Sequence, residues 1–574
     1  MFAQSRASGF GPAARFFVAT KGARSVLTKD LRISYFAPQT LQKTRVPVKL
    51  LQKIRSHWAL LAYIALSMGI LGWVAWDAFC FRLITYGGGV DYWEHTAAFY
   101  ALLENLLDPR NPHVVSEASS PRFGPHFVLI AAFGKLIGVD AIDAMAIAAV
   151  LNTLLLLLGI YCFFRTYFRD ARAPLYGLIV MFGSWLDAPY WSNVYKLSVY
   201  FSVAGYPSNA ALALTLLGLY LTLELLRGER RRPGLLALSC VMWAYIYITH
   251  PLTAMMSFTA ALALAATEPT VSWERQLEIG GTVVGGLVLA AIWPYYPALG
   301  MVVSGTTAKI KEGLAAGPSG QALHFFYAPS TLLGVGGVAL LALPVLPYLA
   351  ARRELLFVII GILVMLGLFI VNLFLPIPLG HRFVLLAVFF LQVALVWVML
   401  QLTPVGPKLP DWASQPLLRW GAALGVIALL LYCTGSNVAS AMARFEERTS
   451  HEQSWIVRYG RRVGVIAGSH GVIFGLPKPS WPIPTFGPRV VTLFHANPLV
   501  ADAEQRRQDS RRFFAQHTSD NERSSILARY GATHVLSDKD SSNASERFLK
   551  ERGNMFQLPG GLRLYALRGD AGCH

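Results

Sequence analysis

The stretch Phe383–Leu402 reads FVLLAVFFLQVALVWVMLQL and contains no charged side chain. A helix needs roughly 20 apolar residues to cross the hydrocarbon core of a bilayer, and this stretch is long enough to do so. Further apolar runs lie at 58–76, 146–164, 279–293 and 355–375. Several runs of this length in one chain predict an α-helical polytopic membrane protein.

The overall composition points the same way. The chain has 574 residues, of which 54% are hydrophobic and 14% are charged, whereas a soluble domain carries roughly 25% charged residues. This composition excludes a soluble enzyme, a DNA-binding module and a disordered tail, and we expect no nucleic-acid partner. Four of the five cysteines lie in or beside apolar runs, so neither a disulfide framework nor a CxxC metal site is available.

Basic residues set the predicted orientation. Residues 1–57 hold eleven Lys or Arg against one acid, and short basic loops follow near 165–172, 227–232 and 352–353. The positive-inside rule makes these segments cytoplasmic. The predicted spans lie near 58–80, 142–165, 174–192, 208–226, 234–250, 252–268, 279–297, 330–350, 354–375, 383–402 and 417–435. About eleven spans from a cytoplasmic N-terminus in the inner (plasma) membrane leave the C-terminus outside. The N-terminal composition also suits a targeting peptide.

Three regions follow from this pattern. They are a basic cytoplasmic segment 1–57, a transmembrane domain 58–435 with an outer loop 84–122, and an extracytoplasmic domain 436–574. The apolar segment 123–138 is too short for a full span, so we expect a partial or interfacial helix. The last region reads as a small α/β domain. Its predicted strands are 463–467, 490–494, 534–537 and 562–567, and its predicted helices are 502–514 and 521–530.

The outer loop contains the most informative polar motif, Asp91-Tyr-Trp-Glu94-His95. On a helix, Asp91, Glu94 and His95 fall at i, i+3 and i+4 and share one face. A carboxylate held at a membrane interface is a candidate general base. The alternative is an interfacial helix with a solvated polar face, and the spacing alone leaves both open.

An ordered series of motifs follows. Asp91 opens an amphipathic helix, then come Asp108-Pro-Arg-Asn-Pro112 and Ser120-Pro-Arg-Phe-Gly-Pro-His126, and a short apolar segment ends in Phe133-Gly-Lys-Leu-Ile-Gly138. This order resembles the first outer loop of the integral-membrane GT-C glycosyltransferases. The resemblance implies that Asp91 is the catalytic carboxylate and that Glu94 is its second carboxylate. Because the usual adjacent Asp-Glu pair is absent, either residue could be the base.

The resemblance continues along the chain. Ser184-Trp-Leu-Asp187 ends a helix near the outer face, where many family members carry another acidic residue. Gly380-His-Arg-Phe383 looks like the His/Arg-aromatic motif that opens a late span in several branches. Ala528-Arg-Tyr-Gly-Ala-Thr-His-Val535 is similar to part of the outer C-terminal domain found in many members.

Several side chains are candidates for binding the substrate or the donor phosphate. His381 and Arg382 stand at the outer end of a span, where ionisable groups usually face a cavity or water. Arg can hold a phosphate through paired hydrogen bonds, although an interfacial snorkelling Arg is the alternative. The remaining candidates are His95, Arg122, Asp187 and Lys196. We expect no dedicated metal site, although the acidic pair could hold a divalent cation.

These features favour an inverting membrane glycosyltransferase with an Asp general base. It would move a sugar from a polyprenyl-phosphate donor to a hydroxyl of a glycan, lipid or protein acceptor at the extracytoplasmic face. Two alternatives are an O-antigen-type polymerase or ligase and a transporter or flippase of lipid-linked saccharides. The flippase reading predicts internal repeats, and none is evident in the sequence.

Overall fold

A computed structural model describes residues 48–82, 91–186, 195–269, 271–301, 328–374, 379–402, 416–446, 454–495, 497–538 and 541–568. The chain divides into two compact units, Met1–Ser56 and His57–His574. Apart from residues 48–56 at the start of the first helix, the features described below belong to the second unit.

The helical part is built from α-helices joined by mostly short connections. In chain order they are α1 Val48–Trp76, α2 Tyr92–Glu104, α3 Pro125–Ile137, α4 Ala141–Phe168, α5 Ala173–Gly183, α6 Leu197–Val203, α7 Pro207–Arg227, α8 Pro233–Thr249, α9 Pro251–Thr267, α10 Trp273–Ala291, α11 Pro329–Gly336, α12 Leu346–Ala351, α13 Leu356–Phe374, α14 Phe383–Leu402 and α15 Pro416–Glu446. A π-helical turn, Asp77–Phe81, extends α1, and 3-10 turns occupy Gly337–Val345 and Gly380–Arg382.

Six helical segments of the described chain are long and apolar enough to cross a membrane. They are His57–Phe81, Ala141–Phe168, Pro207–Arg227, Pro329–Ala351, Gly380–Leu402 and Trp420–Ala443. Helices do lie at the other predicted positions, but most of these are shorter, so the count of about eleven spans is not confirmed. The prediction for 123–138 agrees with α3, which has 13 residues and is too short to cross a bilayer.

Helix α14 lies in the middle of the bundle. It is buried along nearly its whole length, as expected for a helix that is apolar on every side. Helix α1, by contrast, leaves Leu61, Ile64 and Met68 exposed, which fits a helix that faces lipid on one side. Helix α4 begins at Asp140, whose carboxylate accepts hydrogen bonds from the backbone N–H groups of Ile142 and Asp143 and so caps the first turn.

The C-terminal region forms a five-stranded mixed sheet. Its strands are β1 Val472–Gly475, β2 Arg489–Val490, β3 His534–Ser537, β4 Gly553–Gln557 and β5 Arg563–Leu567, in the order β2-β1-β3-β5-β4. Strand β1 is parallel to β2 and β3, whereas β5 is antiparallel to β3 and β4. The helices of this region are α16 Trp455–Ala467, α17 Pro477–Ser480, α18 Ala503–Phe514, α19 Asp520–Arg529 and α20 Asn543–Arg552.

Two predicted strands of this region need correction. Residues 463–467 form the end of α16, because Ile456, Val457, Tyr459, Gly460 and Val463 are buried at helical rather than alternating spacing. The strand predicted at 490–494 is reduced to the two residues of β2. The predicted strands 534–537 and 562–567 and both predicted helices match observed elements within one residue at each end.

The outer loop joins the edge of this sheet. The backbone N–H of Val115 donates to the carbonyl of Val490 at 3.1 Å, and the N–H of Val490 donates to the carbonyl of His113 at 3.2 Å. Arg110 adds two hydrogen bonds from its guanidinium to the carbonyls of Ser469 and Gly487, at 2.9 and 2.8 Å. These bonds hold the C-terminal sheet against the loop that follows α2.

Candidate active site

Asp91 lies immediately before α2 with an unusual backbone. Its φ is +59°, in the left-handed region, and its carbonyl accepts the N–H of His95 at 3.1 Å. Apart from Gly, only Asn and Asp visit this region at modest cost. Such conformations cluster at functional sites because the surrounding structure must enforce them. The backbone thus fixes where the Asp91 carboxylate leaves the start of the helix.

Glu94 occupies the first turn of α2 and is nearly buried, with 8% of its side chain exposed. Arg122, from the turn before α3, donates to Glu94 Oε2. That turn is closed by the buried Ser120, whose carbonyl accepts the N–H of Phe123 and whose hydroxyl accepts the N–H of Arg122. A buried carboxylate needs such partners, since an unpaired buried charge is strongly unfavourable.

His495 brings the C-terminal region into the same cluster. Its Nδ1 lies 2.6 Å from Glu94 Oε1 and 3.2 Å from Asp91 Oδ1. The imidazole stands edge-on to Trp481, with ring centroids 5.3 Å apart, and Trp481 stacks on Phe494 at 4.1 Å. One imidazole therefore bridges both predicted catalytic carboxylates.

No motif in the sequence identifies His495 as a residue of this site. It lies 401 residues from Glu94 along the chain, in a segment whose only local signal is a His beside an aromatic residue. Single histidines of this kind are common in packed proteins, so the motif carries no specific information. Only the docking of the sheet on the outer loop makes its role visible.

The charges in the cluster support one another. Burial alone would raise the pKa of Glu94, but the Arg122 guanidinium and the hydrogen bond from His495 outweigh it and hold that pKa well below its ordinary value. Burial opposes the charged form of His495, yet its hydrogen bond to Glu94 and the charges of Glu94 and Asp91 raise its pKa above the ordinary 6.5. The site therefore favours an ionised Glu94 facing an imidazolium and a guanidinium.

His95 does not join this cluster. It is 2% exposed, and its ring stands edge-on to Tyr206 with centroids 4.6 Å apart. The prediction that Asp91, Glu94 and His95 share one helix face is wrong in this respect. Asp91 lies outside the helix, so the i, i+4 rule does not apply to it, and consecutive helical positions differ by about 100°. His95 thus packs into the bundle while Glu94 faces the cluster.

The predicted phosphate ligands fall into two groups. Arg382 and His381 lie on the 3-10 turn before α14, partly buried, and the Arg382 guanidinium is within electrostatic range of Asp91. Lys196 instead donates to the carbonyl of Leu186 at 2.6 Å, and the described contacts do not bring it to the carboxylates. Asp187 lies outside the described residues. The binding roles assigned to these side chains remain predictions.

Among the residues that the structure describes, Asp91, Glu94 and His495 form a group that could hold a metal ion. Their ligand atoms all lie within 4.8 Å of one another, and a mixed carboxylate and imidazole set suits a divalent transition metal. A metal requires the unprotonated imidazole, whereas the pKa of His495 is raised. Arg122 also already neutralises Glu94. A cation bound between the three groups would therefore have to displace the proton of His495, and a divalent cation at this cluster remains a prediction.

Solved protein structures share the fold of this chain, among them ArnT and AftD. ArnT from Cupriavidus metallidurans, in a crystal structure bound to undecaprenyl phosphate, aligns with a TM-score of 0.52 at 13% sequence identity, over 90% of this chain and 99% of that one. The arabinofuranosyltransferase AftD from Mycobacteria gives a TM-score of 0.52 at 14% identity, over 90% of this chain and 40% of that one. No known protein-family profile matches the sequence, and no curated protein does. The chain has the GT-C fold of membrane glycosyltransferases that its outer-loop motifs resemble.

Proposed function

We propose that this protein is an inverting membrane glycosyltransferase that takes its sugar from a polyprenyl-phosphate donor and transfers it to an acceptor hydroxyl at the extracytoplasmic face. The observation that carries the proposal is the cluster of Asp91, Glu94, Arg122 and His495 at the start of the first outer-loop helix. The fold shared with ArnT, which was crystallised with undecaprenyl phosphate, supports a donor of that class.

Asp91 is the better candidate for the base. Its side chain is 31% exposed, whereas that of Glu94 is 8% exposed and is hydrogen-bonded at both oxygens. A base must reach the proton that it removes, and a carboxylate already bound on both oxygens has little capacity left. Glu94 instead holds Arg122 and His495 in place, so it acts as a positioning residue.

The reaction is a single displacement. The acceptor oxygen attacks the anomeric carbon while Asp91 takes its proton, and the bond from that carbon to the phosphate oxygen breaks with both electrons going to the phosphate. Attack from the face opposite the leaving group inverts the anomeric centre. The phosphate leaves as a stable anion, so nearby cations can replace a general acid.

Arg382 and His381 are the proposed partners of that phosphate. They stand at the start of a membrane-crossing helix, where a lipid-linked phosphate would lie beside the apolar bundle. An Arg offers two parallel N–H donors to a phosphate. The Arg382 guanidinium interacts electrostatically with Asp91. A donor phosphate bound by Arg382 would therefore lie near the proposed base.

The proposal is tested with the purified full-length protein in lipid nanodiscs. A panel of radiolabelled polyprenyl-phosphate sugars is supplied with membrane-lipid, glycan and peptide acceptors, and product formation is followed with the anomeric configuration of the product. Transfer with inversion supports the proposal. Retention of configuration would overturn the single displacement. Translocation or polymer ligation without any cleavage of these donors would favour the flippase or ligase alternative.

A further inference from the structure

A large cavity lies at the end of the bundle remote from Asp91. Helix α4 starts beside the site, where Asp143 pairs with Arg82 at 2.8 Å and Tyr92 donates to the carbonyl of Arg82. The helix runs for 28 residues, roughly 40 Å at 1.5 Å per residue. At its far end the chain forms an open cavity of about 850 Å³. By the charge pattern of the loops, this end is the cytoplasmic one.

Four arginines line this cavity, namely Arg169, Arg172, Arg227 and Arg353. Two of them are neutralised: Arg172 pairs with Asp170 at 2.6 Å, and Arg227 holds both oxygens of Glu268 at 2.5 and 3.2 Å. Neither Arg169 nor Arg353 forms a salt bridge within the described part of the chain. The cavity therefore offers two guanidinium groups that lack an acidic partner.

The backbone at these two arginines is strained. Arg169 has a φ of +54° and Arg353 a φ of +55°, in the left-handed region where a helix end or turn usually carries Gly or Asn. A long side chain makes the conformation less favourable than Gly would. Both positions nevertheless carry Arg and both line one cavity, and strain of this kind is a recognised pointer to function.

Three carboxylates also line the cavity, and each pairs with an arginine: Asp170 with Arg172, Glu268 with Arg227 and Glu354 with Arg352. Apolar side chains form another part of the wall. Phe168, Leu226, Leu264, Trp397 and Leu400 contribute to it, from the last turns of α4, α7, α9 and α14. A purely water-soluble anion would gain nothing from such a wall, whereas the upper part of a lipid chain would be buried against it. The combination of cationic and apolar surface is that of a lipid headgroup site.

We propose that this cavity binds a phosphate ester, with the phosphate held by Arg169 and Arg353 and the attached chain lying along Trp397 and Leu400. Two guanidinium groups match the one or two negative charges of a phosphate, and each can give it paired hydrogen bonds. The ligand class is an anionic phospholipid or a polyprenyl phosphate, and a soluble phosphate ester shares the same headgroup chemistry. The site is separate from the proposed catalytic cluster.

The test is native mass spectrometry of the full-length protein with added phosphatidylglycerol, phosphatidic acid, undecaprenyl phosphate, phosphatidylcholine or glycerol phosphate. We expect the anionic lipids to bind and the Arg169→Gln/Arg353→Gln variant to bind them about tenfold or more weakly. The matched control Arg165→Gln/Arg230→Gln removes two exposed arginines from the same end that do not line the cavity.

The outcomes separate the possible ligands. If glycerol phosphate binds as tightly as the anionic lipids, the site recognises a soluble phosphate ester. The lipid part of the proposal would then fail. Equal weakening by the control pair would show that charge at this end of the bundle matters, rather than the cavity, and would overturn the proposal. Because the readout is binding, failure of the proposed transferase activity would not affect it.

Discussion

His495 Nδ1 lies 2.6 Å from Glu94 Oε1, although 401 residues separate the two positions in the sequence. This contact links the C-terminal sheet to the first helix of the outer loop, at the point where Asp91 is also within 3.2 Å of the same nitrogen. The C-terminal region is therefore part of the candidate site.

Replacing His495 should impair transfer without abolishing folding. In His495→Gln the bridge between the two carboxylates loses its charge, and we expect kcat to fall roughly 10-fold to 100-fold, the range of one charge-assisted hydrogen bond. The KM for the acceptor should change less, because the imidazole positions carboxylates rather than the acceptor. Steady-state kinetics checks this, with the exposed His517→Gln as the matched control. Wild-type kcat in His495→Gln would refute the positioning role.

Breaking the pair of Arg122 and Glu94 should destabilise the protein. Arg122→Gln leaves a nearly buried carboxylate without its main partner, which costs about 3 kcal/mol, and the apparent Tm in detergent should fall. Because the two residues are directly coupled, the double variant Arg122→Gln/Glu94→Gln should lose less than the sum of the single variants. Additive losses would mean that the ion pair does not contribute to stability.

The cluster predicts a specific pH dependence of stability. Because the pKa of His495 is raised, its contribution to the free energy of unfolding is fully present below pH 6.5, the ordinary value. That contribution is lost as the pH rises through the raised pKa. Because the pKa of Glu94 is lowered, its contribution to the free energy of unfolding is fully present above pH 4.5, the ordinary value. That contribution is lost only as the pH falls below 4.5 toward the lowered pKa. Both contributions are present between about pH 4.5 and 6.5.

The measurement is the difference in apparent Tm between wild type and His495→Gln at pH 6 and at pH 8.5. Subtracting the variant removes the opposite trend from histidines such as His113 and His534, whose pKa values are lowered mainly by burial. We expect a larger difference at pH 6. A difference that is constant or that grows with pH would contradict the charged form of His495.

Arg110 should be needed to hold the sheet against the outer loop. Arg110→Ala removes two hydrogen bonds to the carbonyls of Ser469 and Gly487 and the pair with Glu104 at 3.0 Å. We expect faster proteolysis of the C-terminal region and a fall in transfer of roughly 3-fold to 10-fold. The exposed Arg547→Ala is the control. Unchanged proteolysis and transfer would show that the backbone pairing of Val115 with Val490 is sufficient.

Much of this architecture could be predicted from local pattern. Long apolar runs such as 383–402 specify buried or spanning helices by length and composition alone, and the 13-residue α3 follows from a run too short to span. The number of spans could not be fixed, because helices such as α5 and α8 are apolar but shorter than a bilayer requires. Length then does not distinguish a span from a buried segment.

Some residues of the site could likewise be predicted from the sequence and one could not. Asp91, Glu94 and Arg122 lie within 32 residues of one another in one ordered set of motifs, and all three fall in the cluster. His495 depends on a contact between distant segments, for which the sequence holds no periodic signal. The strand predicted at 463–467 failed because the helical periodicity starts upstream, at Ile456 and Val457.

The most direct test compares single-turnover transfer by wild type, Asp91→Asn and the control Asp108→Asn, whose carboxylate is exposed on the same outer loop. Asn is tolerated at a left-handed backbone position, so Asp91→Asn removes the charge and keeps the fold. We expect Asp91→Asn to slow transfer by roughly 10²-fold to 10⁴-fold and Asp108→Asn to leave it unchanged. Transfer by folded Asp91→Asn at the wild-type rate would contradict Asp91 as the base.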